Sequence, residues 1–408
     1  MASRARVGLF GLLGQGNLGN DGSMEAVLGY LQAEYPDADI DALCSDPGAL
    51  AERYRIPAAG LRWYVPGQVR SPGAAALAGR AAGLGLGLAV DAWRIPAWVR
   101  RHDAVVVPGM GVLETTVPIR PWKTPYWLFL LCASGRAFRT RTALVSVGAN
   151  VTRHRVTRAL IAAAARAAHY RSFRDPQSRD ALRQMGVDTS ADAVSPDVAF
   201  ALPRPAGPEC VPGSVGVGVM DYSGDNDETG RQEQLRANYL EQLTQFTCWL
   251  VDSGHPVRLF SSDTADQPVI ERIGSAVRAQ RPGLDPALLT AEPAGTVAEL
   301  MRQIASVETV VATRYHNVLY AVMQGKPALA LAYGAKHQQL MADAGLPGYY
   351  LECRTLDAGQ LVEKFSQLER DAGRLRPLVA GRNAERAGLV REQLAAMCAA
   401  VLPEAPGD

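Results

Sequence analysis

Short apolar runs of strand length alternate along this chain with longer stretches whose apolar positions recur at helical spacing. Residues 6–12 predict a strand that enters a glycine-rich turn, with a helix over about 23–34 behind it. Residues 38–43 predict a second strand. Another covers 102–107 and ends in Pro108-Gly109-Met110-Gly111, and 142–147 repeat the scheme into Gly148-Ala149-Asn150. A helix over 156–168 then leads into the segment 169–175. Strands alternating with helical runs predict a parallel sheet covered on both faces.

Proline and glycine cluster over 202–214, which places a domain boundary there. Beyond it the alternation restarts with a strand at 215–219, a helix at 232–252 and a strand at 256–260. Helical stretches at 358–368 and 376–402 close the chain. The expected organisation is an N-terminal α/β domain over 1–203, a C-terminal α/β domain over 214–375, and a terminal helical segment, 376–408, packing back. The fold class is α/β, two doubly wound Rossmann-like domains facing one another across a cleft.

The stretch 310–337, VVATRYHNVLYAVMQGKPALALAYGAKH, carries the densest chemistry. Its spacing predicts a strand over 306–313, a helix over 317–324 stopped by Gly325, a second strand over 327–333, and a helix opening at Lys336 and running to 344. This is a βαβ unit with a right-handed crossover, so the two strands run parallel, about 5 Å apart when they are neighbours. Arg314, His316 and Lys336 therefore emerge at the carboxyl edge of one sheet, beside two helix N-termini. Ligands bind at that edge in open α/β sheets, and helix N-termini favour anions. The pattern points to a small, multiply charged anion with a titratable group beside it.

A length of 408 residues suits two or three domains at about 150 residues each. The net charge of +1 leaves no global field to steer the chain toward nucleic acid. Six scattered cysteines with no CxxC pair point away from a zinc site or a disulfide framework and toward a reducing cytoplasm. No targeting segment is read at the start, which runs directly into a strand. Residues 73–90 are apolar for about the length of a short membrane span, but Arg80 and several glycines interrupt them. A buried or surface-packed helix is expected. The arginines Arg70, Arg94, Arg100 and Arg101 add a peripheral membrane contact through 73–101 as an alternative.

The first turn, Gly14-Gln15-Gly16-Asn17-Leu18-Gly19, matches GxGxxG between a strand and a helix, with Asp39 and Asp41 about 20 residues on. Asp21 counts against a dinucleotide, because its carboxylate competes with phosphates for the same helix end. It is expected instead as the N-cap. A turn that contacts an acceptor substrate through Gly14, Gly16, Asn17, Asn20 and Asp21 is the remaining functional reading.

These motifs together resemble the polysaccharide pyruvyl transferase family. The opening turn of that family is matched by Gly11-Leu12-Leu13-Gly14 and Asn17-Leu18-Gly19-Asn20-Asp21. A middle segment is matched by Arg174-Asp175-Pro176-Gln177-Ser178 and Pro196-Asp197-Val198-Ala199. The C-terminal hallmark is matched by Arg314-Tyr315-His316, Gly325-Lys326-Pro327 and Tyr333-Gly334-Ala335-Lys336. Departures fall at Leu12 and Leu13 and at Pro108-Gly109-Met110-Gly111, where the acceptor is expected. The two-domain architecture is the one seen in GT-B enzymes.

The resemblance implies transfer of pyruvate from phosphoenolpyruvate to two hydroxyls of a sugar-containing acceptor, giving a ketal and phosphate with no metal or redox cofactor. Phosphate and carboxylate call for arginine and lysine, and the methylene carbon calls for a general acid. His316 is expected as the acid and Arg314 and Lys336 as donor ligands, with Arg171 and Arg174 as further candidates. His154 and His169 are expected as exposed or structural, and His337 as pointing away from Lys336. Two other readings stay open: a nucleotide-sugar glycosyltransferase, with Asp221 or Glu228 facing the ribose, and a non-catalytic glycan- or anion-binding protein.

Overall fold

The computed structural model describes residues 4–63, 74–114, 121–224 and 230–402, the side chains of 74–78 and 80 excepted. Arg70, Gly73, Glu228 and the side chain of Arg80 lie outside the described residues. The chain divides into two compact units. One comprises Met1–Gln15, Ser23–Ala199 and Val390–Asp408; the other comprises Gly16–Gly22 and Phe200–Leu389.

The first unit is built on a parallel sheet. Its strands are β1 (Arg6–Gly11), β2 (Asp39–Cys44), β3 (Ala58–Gly60), β4 (Ala104–Pro108), β5 (Arg141–Val147), β6 (Tyr170–Phe173) and β7 (Ala193–Val194). Their order is β3-β2-β1-β4-β5-β6-β7. Among the described residues the connecting helices are α1 (Leu18–Glu34), α2 (Pro47–Tyr54), α3 (Ala74–Val99), α4 (Thr124–Phe138), α5 (Arg155–Ala167) and α6 (Pro176–Gln184). Every residue of β4, AVVVP, is buried, as expected of a central parallel strand covered on both faces. Asp41 accepts from the Trp98 indole at 3.0 Å and lies 3.0 Å from the His102 imidazole. That acid is thus tied to the packing of α3 on the sheet.

The second unit repeats the scheme with β8 (Val215–Gly218), β9 (Val257–Phe260), β10 (Leu289–Thr290), β11 (Thr309–Ala312), β12 (Ala328–Ala332) and β13 (Tyr350–Glu352). The order is β10-β9-β8-β11-β12-β13, again wholly parallel. Its helices are α7 (Gln232–Asp252), α8 (Gln267–Gln280), α9 (Val297–Ala305), α10 (Tyr315–Met323), α11 (Ala335–Asp343) and the part of α12 (Ala358–Val401) up to Leu389, the rest of which belongs to the first unit. Both sheets are doubly wound, with the strand order reversing between β1 and β4 and between β8 and β11. In this topology the crevice for a ligand opens outside the carboxyl ends of the strands at the reversal.

Three local expectations are revised. Helix α1 starts at Leu18 rather than 23, because Asn17 Oδ1 accepts from the Asn20 amide at 3.1 Å and caps it. Asp21 therefore falls inside the first turn, fully buried, and is not the N-cap. The two expected C-terminal stretches are one helix, α12, with Pro377 inside it. The bridging residues 369–375, ERDAGRL, are mostly good helix formers, and a proline removes only one helical bond.

Candidate active site

The site is built within the second unit, from strand β11 outward. Four buried residues, TVVA, carry the chain to the sheet edge, and Thr313 donates its amide to Gly218 O at 2.9 Å, continuing the pairing with β8. Arg314 then forms the N-cap of α10 with extended backbone and no side-chain capping bond. Gly334 does the same for α11, also without a side-chain cap. Two helices thus begin side by side at the ends of β11 and β12, neither with a capping bond from the side chain of its own N-cap residue, and helix N-termini favour anions.

Arg314 is held by carboxylates from the loop after β9. Its Nε and Nη2 donate to Asp266 at 2.6 and 2.8 Å, and its Nη1 lies 3.3 Å from Asp263. Asp266 is fully buried and also accepts from Ser261 Oγ at 2.5 Å and from the Asp221 amide at 2.9 Å. A buried ion pair of this kind is tolerated only when its remaining lone pairs are satisfied, as they are here. Burial works against the Arg314 charge, but the bonds and attraction from Asp266 and Asp263 outweigh it and hold the guanidinium pKa above its ordinary value. Burial raises the Asp263 carboxyl above the usual carboxylate range, with Arg314 opposing.

The glycine turn meets the same loop. Asn17 Nδ2 donates to Asp263 Oδ2 at 3.0 Å, and Asn17 pairs with Asp263 in a short antiparallel bridge. The Leu18 amide donates to Ser262 O at 2.8 Å, and the Thr264 amide to Gly16 O at 3.0 Å. Gly16 has φ of 82°, and a methyl group there would collide with Thr264.

His316 occupies the first turn of α10, and its ring packs against Gly19 so closely that a Cβ at Gly19 would overlap it. One turn on, Tyr320 meets Gly22 in the same way and donates its hydroxyl to Leu18 O at 2.8 Å. The small face of α1, at i and i+3, thus receives two rings of α10, at i and i+4. Tyr315 and Tyr320 flank the imidazole edge-on and tilted, at 5.3 and 5.9 Å between centroids.

Lys336 lies in the first turn of α11, its Nζ 5.2 Å from the Tyr333 ring centroid and 5.9 Å from that of Tyr315. His337 turns the other way into the core, its Nε2 2.9 Å from Thr313 O. Beyond Lys336 a depression of about 310 Å³ opens between Tyr222, Tyr333, Gln338, Glu352 and Arg354.

The structure brings Arg314, His316, Lys336, Gly16, Asn17, Asn20 and Asp21 into one unit. Gly14 belongs to the other, where its φ of 79° lets it pass close to Asp46 O. Arg171 and Arg174 are also in that unit. Arg171 makes bonds of 2.9–3.1 Å to Asp192 and donates to the Ala165 and Asp188 carbonyls. Arg174 is buried against Glu114, with Asp175 and Asp197 within 4 Å. Asp221 pairs with Arg236. His154 caps α5, and His169 accepts from the Thr142 amide, burial lowering its pKa.

Sequence reasoning missed Asp263 and Asp266. Their signal is the polar run Ser261-Ser262-Asp263-Thr264-Ala265-Asp266 directly after the strand that became β9. It also missed the glycine face formed by Gly19 and Gly22.

A family model described as polysaccharide pyruvyl transferase matches residues 17–335. No curated protein matches the chain in sequence. Among solved structures, UDP-GlcNAc 2-epimerase from Neisseria meningitidis bound to UDP-GlcNAc is similar at a TM-score of 0.59 and 10% identity, over 98% of this chain and 99% of that one. Alr3699/HepE from Anabaena in complex with UDP-glucose gives 0.59 and 12%, over 97% and 99%. S. aureus MnaA with UDP gives 0.60 and 11%, over 99% of each chain. These likenesses establish the fold: α/β, GT-B-like, with two parallel sheets.

Proposed function

The chain belongs to the polysaccharide pyruvyl transferase family, and we propose that it transfers the enolpyruvyl group of phosphoenolpyruvate to two hydroxyls of a sugar-containing acceptor. A proton adds to the methylene carbon, one hydroxyl adds to the neighbouring carbon, and phosphate leaves as the second hydroxyl adds. Of the two hydroxyl protons, one replaces the proton given to carbon and the other leaves on phosphate. The product is a pyruvate ketal.

The supporting observation is that Arg314, His316 and Lys336 share one sheet edge with the N-termini of α10 and α11. In this reading His316 is the acid, its ring orientation set by Gly19, Tyr315 and Tyr320. Lys336 and the two helix ends take the anionic groups of the donor. Arg314 joins them while held in position by Asp266. Gly16, Asn17 and Asn20 are assigned to the acceptor side; Asp21 is fully buried in α1 and Gly14 belongs to the other unit, so neither keeps that assignment. Arg171 and Arg174, each engaged by carboxylates, are assigned to shaping the first unit's sheet edge rather than to the donor.

His316→Ala is expected to abolish phosphate release from phosphoenolpyruvate in the presence of glycan acceptors while leaving donor binding intact. Ordinary turnover by the variant would sink the acid assignment.

A nucleotide-sugar reading draws on one feature, the depression between Tyr222, Tyr333, Glu352 and Arg354, whose rings and polar groups suit a base or a sugar. The solved relatives named above carry UDP or UDP-sugars. Stabilisation by a UDP-sugar alone would favour it.

A further inference from the structure

Helix α3 has two faces. Gly87, Asp91, Ile95 and Trp98 are buried against the first unit, while Ala82, Leu86, Ala89 and Trp93 form an exposed stripe at i, i+4, i+7 and i+11. Leu86 is 55% exposed and Trp93 72%, unusual for side chains of their size. Two more tryptophans are exposed near the same helix. Trp63, 49% exposed, donates its amide to Asp91 at 3.1 Å. Trp122, 46% exposed, packs on Tyr126, whose hydroxyl donates to Leu88 O at 3.1 Å. The apolar stripe is thus accompanied by indoles, side chains that favour the level of lipid headgroups.

The sequence that carries this helix is predominantly basic. Residues 53–101 contain eight arginines (Arg53, Arg55, Arg62, Arg70, Arg80, Arg94, Arg100 and Arg101) and one acid, the buried Asp91. That is +7 in a segment of a chain whose total is +1. Among the described residues no helix is long and apolar enough to cross a membrane. An exposed apolar helical stripe with tryptophans, basic surroundings and no span is suited to lying in a bilayer interface.

We propose that this face of the first unit, centred on Leu86 and Trp93, docks on an anionic lipid bilayer. Apolar side chains enter the headgroup boundary and the arginines meet acidic lipid. The complementarity of charge selects a membrane over a second copy of this chain, because two copies meeting at this face would bring like charges together. The inference does not depend on the donor assignment.

Flotation of the full chain with equimolar phosphatidylglycerol–phosphatidylcholine vesicles, and with phosphatidylcholine alone, tests it. Binding is expected with the anionic vesicles only and is expected to weaken as salt rises. Trp93→Glu is expected to reduce the bound fraction by about tenfold or more, with an unchanged melting temperature because the side chain is exposed. No flotation with anionic vesicles, or equal flotation of the wild type and the variant, would overturn the proposal. So would a wild-type dimer in sedimentation velocity that the substitution dissolves, since a second copy would then cover the face.

Discussion

Alanine at position 19 would push a methyl group into the ring of His316. The cost falls on the position of the ring. Gly19→Ala is therefore expected to lower turnover by roughly 10–100-fold, because small misplacements of a reacting group are expensive. Donor-induced stabilisation should be unchanged, and phosphate release alongside thermal melting would separate the two. Wild-type turnover in the variant would mean that the imidazole position is immaterial. The sequence announced His316 through the Arg-x-His pattern at the end of an apolar run. It did not announce Gly19 as its partner, since nearly 300 positions separate them. The GxGxxG pattern even suggested another purpose for that glycine.

At the scale of elements, the βαβ unit was legible because its signals are local. The apolar runs became β11 and β12, and the expected helices at 317–324 and 336–344 became α10 (Tyr315–Met323) and α11 (Ala335–Asp343). The carboxylates that hold Arg314 were not legible. They follow β9, which joins the site only because the sheet order sets β8 between β9 and β11. The pair Arg314–Asp266 is thus a tie between the ends of non-adjacent strands. Asp266→Ala would leave a guanidinium buried beside Asp263 alone, a loss expected to cost about 3–5 kcal/mol. Chemical denaturation would show it as a lower midpoint; an unchanged midpoint would mean that solvent replaces the carboxylate. The start of α1 was misjudged for a related reason. Asn17 caps it while also contacting Asp263, so the helix begins a full turn before the apolar periodicity becomes clear.

At the scale of the molecule, two doubly wound sheets were readable from the alternation of strand and helix. The shortest strands, β7 and β10, are two residues long and carry too little pattern to be read. The glycine turn lies early in the sequence, yet Gly16–Gly22 group with the unit formed by Phe200–Leu389. This unit is proposed to hold phosphoenolpyruvate at the edge carrying Arg314, His316 and Lys336. Ligand-dependent melting of the purified chain checks this binding, since a ligand that binds only the native state raises the melting temperature. Phosphoenolpyruvate is predicted to stabilise the wild type and His316→Ala alike, to stabilise Lys336→Ala much less, and to do so where NAD and UDP-sugars do not. Stabilisation by a UDP-sugar alone, or a phosphoenolpyruvate effect undiminished in Lys336→Ala, would contradict it.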